Sequence, residues 1–504
     1  MLRTALIGIA LSAATIGQPA AQTSLDHGEA LRQTPLNSTA DFLRALNRTL
    51  PLVLKTYDNT AAVAVVIENG KVIAHYAWGT ADGTLVTENS VFGAASISKL
   101  VTAWGVMKLV DEGRIKLDSP AATYLTGAQK ASLPFDTGVI TVRQLLSHTS
   151  GLSGRSVAEV WPSEKIGTVL QELTAKTVDG SPQIHINGKP GSSWAYSGAG
   201  YGVVQLIVEN VTGKPFSEVM NAEVLRPLGM TKSFFGNREL EQGAVIQHLD
   251  EAGQPVKRAG YANLAAAGLY TTLTDFIKLA MADMQGAHGL LRDGDISEMH
   301  TAAPGTGGKY GLGYFVERLT DTEKVVGHDG SDTGWNSMYR MVPGRKDAII
   351  IFTNSSLGIG AYFPVMCGWY RSLGSDRTDY CPVTPWLTAS TLYNSGLNAA
   401  LAMNNRLSKL DKNYSFDRAY WNYIAGVMID RQAFNEALTM LRFIATLNPT
   451  SADAFDSLGN AYEAADDRKN AITAYRHALV IDPGLKHPKL SLQALGAALS
   501  VNRP

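Results

Sequence analysis

Strand character is confined to two distant parts of this chain, and that separation constrains the fold more than any other feature. The segment "AAVAVVIENGKVIAHYAWG" (61–79) reads as two β-branched, alternating strands joined at Asn69-Gly70, a strong hairpin signal. Strand-like segments return only in "GLGYFVERL" (311–319), "EKVVGHDGS" (323–331) and "NSMYRMVPGRKDAIIIFTN" (336–354). What lies between is mostly helical in period, as in "TVRQLLSHTSGL", "GYGVVQLIVENVTG" and "TTLTDFIKLAMADM". Strands at both ends with helices between them predict an α/β fold. One antiparallel sheet is assembled from distant segments and flanked by helices, with a helical insert beside it.

The rest of the chain fits around that unit. Residues 39–58, "TADFLRALNRTLPLVLKTYD", have apolar side chains at helical spacing, with Pro51 expected to interrupt them. A second helix is expected from Ser96, with Leu100, Trp104, Met107 and Val110 near one face and Gly113 as its stop. The 504 residues are 45% hydrophobic, enough apolar material for a large core and more than one domain. Net charge is -1 and no basic patch stands out, which argues against nucleic acid or an anionic membrane as the main partner.

The N-terminus has Arg3, an apolar run from about Ala5 to Ile16, and then small residues. This reads as a secretory signal peptide over residues 1–21, with a buried N-terminal helix as the competing account. The run is too short for a stable membrane span. A secreted or periplasmic location follows from the first reading. Only Cys367 and Cys381 occur. In an exported protein they form either one disulfide or two free buried thiols, and spacing does not decide between these. No cysteine–histidine cluster has zinc-site spacing, and neither a metal nor an organic cofactor is implied.

The chain changes character over its last part. "NP" at 448–449 recurs as "DP" at 482–483, a period of 34. Phe455, Leu458, Gly459, Tyr462, Ala471, Tyr475, Ala478 and Pro483 resemble the tetratricopeptide repeat position by position. An earlier unit matches at Trp421, Ala437 and Pro449, with Met428 and Leu441 as apolar stand-ins. Flanking helices at about 387–409 and 488–500 are expected as caps. The organisation expected is a signal peptide (1–21), a main domain (25–380) and an all-α repeat domain (385–504). The repeats either bind a protein partner or simply pack as helices.

One short stretch carries chemistry. "GAASISKL" (93–100) holds Ser96 and Lys99 at the start of a helix, the one S-x-x-K in the chain. A serine hydroxyl attacks only when something takes its proton. Lysine does so only when neutral, which burial or nearby positive potential, including a helix N-terminus, brings about. Residues three apart share a helix face, so the amine reaches the hydroxyl. Tyr196 and Ser197 follow in a loop before a helix, where the phenol could act as a phenolate or a relay. Later, in "VVGHDGSDTGW", a strand runs into His328, Asp329 and Gly330. Gly330 would let a substrate backbone lie against an edge strand. The N–H of Ser331 could join that of Ser96 as an oxyanion hole.

The order S-x-x-K, then Y-S-x, then H-x-G resembles the serine beta-lactamase and penicillin-binding-protein superfamily. It is most similar to the branch holding class C beta-lactamases, D-alanyl-D-alanine carboxypeptidases, D-aminopeptidases and related esterases. The segments "LLSHTSGL", "AAAGLYTTLTDF", "YGLGYFV" and "VPGRKDAIIIFTN" look like that family's connecting segments, so the likeness covers about residues 40–370. The resemblance implies a beta-lactamase-like fold and an acyl-enzyme mechanism on a small-molecule or peptide substrate. It makes Ser96 the nucleophile, Lys99 its proton acceptor, and Tyr196 the group that protonates the leaving group or activates water. His328 and Gly330 would line the site, and the amides of Ser96 and Ser331 would hold the oxyanion. His148 in "LLSHTSGL" is read as structural.

Two departures bear on substrate. Gly198 stands where the family has an asparagine that donates an amide to substrate. His328-Asp329-Gly330 replaces K-T-G, which weakens the fixed positive charge for a substrate carboxylate, and Asp329 adds a negative one. These lean toward esters or D-amino-acid peptides and amides and away from beta-lactams. The alternative is a catalytically weak scaffold that works through its repeats.

Overall fold

The computed structural model describes residues 38–56, 61–153, 159–160, 165–177, 180–236, 245–250, 253–256, 260–356, 358–375, 392, 397–410, 418–430 and 434–497. The signal-peptide segment lies outside these residues. The chain divides into two compact units, Met1–Asp376 and Arg377–Pro504.

The first unit is built on a seven-stranded antiparallel sheet. Its strands are β1 (Ala61–Glu68), β2 (Lys71–Ala81), β3 (Thr84–Leu85), β4 (Phe315–Arg318), β5 (Lys324–Asp332), β6 (Trp335–Val342) and β7 (Asp347–Thr353). Their spatial order is β4-β5-β6-β7-β1-β2-β3. The first strand therefore lies between its hairpin partner β2 and the last strand β7, with Val63 opposite Phe352 and Val65 opposite Ile350. At Asn69-Gly70 both residues have positive φ, 51° and 69°, the turn that the twist of a two-residue hairpin favours. Lys346 closes the turn by accepting the Gly70 N–H at 2.7 Å.

Helices cover both faces. They are α1 (Thr39–Thr56), α2 (Ile97–Asp111), α3 (Gly198–Thr212), α4 (Leu273–Gln285) and α5 (Ile359–Ser372). β1, β6 and β7 are buried along their length, so alternate residues serve different layers. Val63, Val65, Ile67, Tyr339, Ile350 and Phe352 enter the main core with α2 and α4. Ala62, Ala64, Val66, Met338 and Ile349 alternate with them and point to the opposite face, where α1 and α5 pack together.

Two expectations for helices are corrected. Pro51 does not interrupt α1, which runs through it. The carbonyl it leaves without a donor belongs to Asn47, which is exposed and can be solvated, while Phe42, Leu46, Leu50 and Leu54 keep one buried stripe. α2 does not bury a single face. Ile97 to Met107 are all buried, so it is a central core helix, and Gly113 in the left-handed region (φ 72°) ends it as expected. Cys367, buried on α5, is disulfide-bonded. Cys381 lies outside the described residues.

The second unit is helical: α6 (Leu397–Leu410), α7 (Arg418–Asp430), α8 (Phe434–Leu447), α9 (Ala452–Ala464), α10 (Arg468–Ile481) and α11 (Lys486–Ala494). The last helix is shorter than expected because Gly496, at φ 61°, follows it. From α7 onward each helix packs on the next. Trp421, Ala437, Ala471 and Ala478 are buried, and a Cβ on Gly459 would come within 2.5 Å of the Tyr475 ring. Among the described residues no helix is long and apolar enough to cross a membrane.

Gly70→Ala tests the hairpin directly. It should lower the unfolding free energy by about 1 kcal/mol, the cost of a left-handed non-glycine residue, measured by urea unfolding; an unchanged midpoint would contradict the turn assignment.

Candidate active site

Ser96 sits where a short strand turns into α2. Phe92–Gly93 pairs with Leu269–Thr271, and Ala94 donates its N–H to the Leu269 carbonyl at 2.9 Å. Ala95 adopts φ 46°, an uncommon conformation for a residue with a Cβ. The turn is fixed from three sides. Ser337 Oγ on β6 donates to the Ala94 carbonyl at 2.8 Å, Ser98 Oγ donates to the Ala95 carbonyl at 2.6 Å, and Leu269 N–H donates to Ser98 Oγ at 2.9 Å.

Lys99 lies one helical turn on and is 1% exposed. Its Nζ is 3.0 Å from Ser96 Oγ and 2.8 Å from the Ala266 carbonyl. Burial lowers its pKa from 10.5 to about 7, opposed by the charge of Asp332. Burial, one of the two causes expected, is the dominant one. A neutral amine donates one proton to Ala266 and presents its lone pair to the Ser96 hydroxyl. The helical spacing thus places a proton acceptor on the Ser96 hydroxyl.

Tyr196 precedes α3, and its hydroxyl is hydrogen-bonded to the Ser96 side chain. Burial of that hydroxyl raises its pKa. The ring as a whole is 43% exposed, so this desolvation is partial. An upward shift keeps the phenol protonated near neutrality. In that state the hydroxyl can donate or relay a proton, and it is not a phenolate. The Lys99 amine is 5.0 Å from its ring centroid, so all three groups meet.

The late strand lies beside the Ser96 turn, and its side chains have partners that the sequence did not show. His328 is 1% exposed, with Nδ1 against the Asp329 carbonyl and Nε2 2.9 Å from the Tyr310 hydroxyl. A carbonyl only accepts, so the neutral ring carries its proton on Nδ1 and accepts from Tyr310 at Nε2. Burial, then the Lys99 charge, hold its pKa well below the usual histidine value. His328 therefore supplies no positive charge, and both its nitrogens are engaged. Asp329 does not add its charge beside it either. It points to the other face and pairs with buried Arg340 at 2.8 Å, which also meets Glu317 at 3.1 Å.

Gly330 has an internal reason for being glycine. A Cβ there would lie 2.3 Å from the Ala94 carbonyl oxygen and 3.1 Å from Ala95 Cβ. Its lack of a side chain brings β5 against the turn that carries Ser96, and does not simply leave room for substrate. Ser331 follows, exposed. β4 pairs only with residues 324–327, so among the described residues β5 from His328 onward has no strand on that side. Gly198 donates no side-chain bond, as expected; its carbonyl accepts from buried Asn263 Nδ2 at 3.0 Å. Among the described residues no three His, Cys, Asp or Glu side chains gather as a metal site needs.

Several groups here escaped the sequence reading. Tyr310 fixes His328, yet "KYGLGYF" marked only a loop and strand. The Ala266 carbonyl has no side-chain signature, although the small residues of "LAAAG" let that backbone approach Lys99. Arg340 cancels Asp329, a pairing that only the register Asp329–Met338 across β5 and β6 brings about.

Residues 14–362 match the family model described as Beta-lactamase. The chain is 31% identical to Esterase EstB of Burkholderia gladioli over 39% of its own length and 52% of that protein's, so it spans about half of that relative. It is 28% identical to penicillin-binding protein 4 of Amycolatopsis lactamdurans over 55% of this chain and 75% of that one. The octameric penicillin-binding protein homologue from Pyrococcus abyssi shares the fold with a TM-score of 0.57 at 22% identity, covering 69% of this chain and 81% of that one.

Lys99→Met tests the buried amine. The folded state holds fewer protons than the unfolded one between about pH 7 and 10.5, so stability rises with pH across that window and the penalty is complete below it. The variant should melt above wild type at pH 7, and the gap should close as pH approaches 10. A lower melting point at pH 7 would contradict the burial.

Proposed function

The chain belongs to the beta-lactamase family of serine hydrolases, and from that premise we propose that it is an exported hydrolase that works through an acyl-enzyme on Ser96. The observation that carries this reading is the 3.0 Å approach of a buried, half-neutral Lys99 amine to the Ser96 hydroxyl. In the proposed cycle Lys99 takes the proton as Ser96 Oγ attacks the substrate carbonyl. The tetrahedral oxyanion rests on the Ser96 and Ser331 amides. Tyr196 delivers the proton to the leaving group, and the acyl-serine is then attacked by water, activated by the same pair.

The substrates proposed are esters first and D-amino-acid peptides or amides second. His328 is neutral and occupied, and Gly198 offers no side-chain donor. A carboxylate such as that of a beta-lactam thus loses the family's usual anchors. The esterase relative supports the same order. Residues 418–485 are proposed as two tetratricopeptide repeats, on the strength of the residue pattern and the packing of Gly459 against Tyr475. The scaffold reading would place the function in those repeats. It is less favoured, since a chain free of catalytic demand has no reason to hold an amine uncharged in its core.

Intact mass after exposure to a fluorophosphonate should show one adduct in wild type and none in Ser96→Ala. A folded wild type that stays unlabelled would move the function to the repeats. Acylation by a p-nitrophenyl ester should fall about tenfold per pH unit below 7 and level off above it, as Lys99 must be unprotonated; a flat profile over that range contradicts the assigned base. kcat/KM for a chromogenic cephalosporin should lie roughly 10- to 100-fold or more below that for a neutral ester, the worth of one charge-assisted bond.

A further inference from the structure

His148, the histidine of "HTSGL", has a more particular placement than a structural residue needs. His148 is 1% exposed and takes φ 58°, the left-handed region that residues other than glycine and asparagine seldom occupy. That backbone turns the residue so that two of its acceptors face one loop. Its carbonyl accepts the Ala195 N–H at 2.9 Å, and its ring Nδ1 accepts the Ser197 N–H at 3.1 Å. The residue between those two amides is Tyr196. The imidazole also packs on the Tyr196 ring, with centroids 4.3 Å apart and planes at 39°.

We propose that His148 is a positioning residue that holds the Tyr196 phenol on Ser96 by gripping the backbone on both sides of it and backing its ring. The inference rests on the serine hydrolase reading above. Tyr196 stands in a loop before α3 with its ring 43% exposed; Phe315 and His328 also pack on that ring, at 6.4 and 6.1 Å, and His148 lies nearest. Two backbone bonds fix its Cα, and the imidazole face fixes its ring.

Packing alone does not account for an imidazole here, since phenylalanine would fill the same volume. The Ser197 bond requires an unprotonated Nδ1, so the proton sits on Nε2, which is buried and has no hydrogen-bond partner among the described residues. Burial, with the Lys99 charge next, holds the pKa well below the usual histidine value and keeps the acceptor available. The other rings packed around His148 are Tyr310, at 4.9 Å, Tyr201, at 5.3 Å, and Trp194, at 6.5 Å. Tyr310 is the residue that fixes His328, so one imidazole backs both the tyrosine loop and the partner of the late strand.

The test uses the full chain and compares wild type, His148→Ala and His148→Asn. Asparagine tolerates positive φ and keeps a side-chain acceptor. With a p-nitrophenyl ester, His148→Ala should slow Ser96 acylation at least tenfold while KM stays within threefold. His148→Asn should recover to within threefold of wild type. Acylation by His148→Ala within twofold of wild type overturns the proposal, and so does a folded His148→Asn as slow as the alanine variant. Should His148→Ala fail to fold, His148→Met is read in its place, and the demand on His148→Asn stands unchanged. A wild type that never labels at Ser96 would instead remove the hydrolase reading itself, so the two failures are distinguishable.

Discussion

The Lys99 amine lies in the core, 2.8 Å from one backbone carbonyl and 3.0 Å from one hydroxyl, and the rest of the first unit is arranged to keep it there. An ammonium in that place would be strongly destabilised by lost hydration, and the fold resolves this by lowering the pKa to about 7. Helix α2 has to be buried on all sides for that to happen. It has the sheet behind it and the 264–267 helix beside it, whose Ala265 and Ala266 carbonyls take the Thr102 hydroxyl and the Lys99 amine. The helix that carries the chemistry is therefore also the helix that fills the core.

The site draws on widely separated parts of the sequence. The Ser96 turn, the Tyr196 loop and the end of β5 meet because the sheet supplies the late strand and the insert supplies the loop. Most of their contacts have a backbone group on at least one side. Gly330 against the Ala94 carbonyl and His148 against two loop amides are examples.

Much of this was legible in the chain. The Asn69-Gly70 turn, the Gly113 stop, the late strands and the Ser96–Lys99 spacing each follow from a local rule that tertiary structure did not override. Other features depend on what the chain meets, which no local rule supplies. Pro51 reads as a break, but exposure of Asn47 makes its missing bond harmless. His328 reads as a weakened positive charge near substrate, and a phenol from residue 310 and its own burial go further and make it neutral. Asp329 reads as an added charge until pairing across β5 and β6 hands it to Arg340. Alternation along the strand sends His328 to one face and Asp329 to the other, and sequence period shows the alternation without showing which face holds the site.

The position of β1 has a consequence for biosynthesis. β1 is made early but cannot complete its pairing until β7, the last strand of the sheet, leaves the ribosome. During that interval an apolar strand with one open edge is exposed, the arrangement most prone to pairing with a neighbouring chain. Contacts this far apart in sequence also make closure of the sheet slow. The nascent chain thus depends on being shielded until its far end arrives.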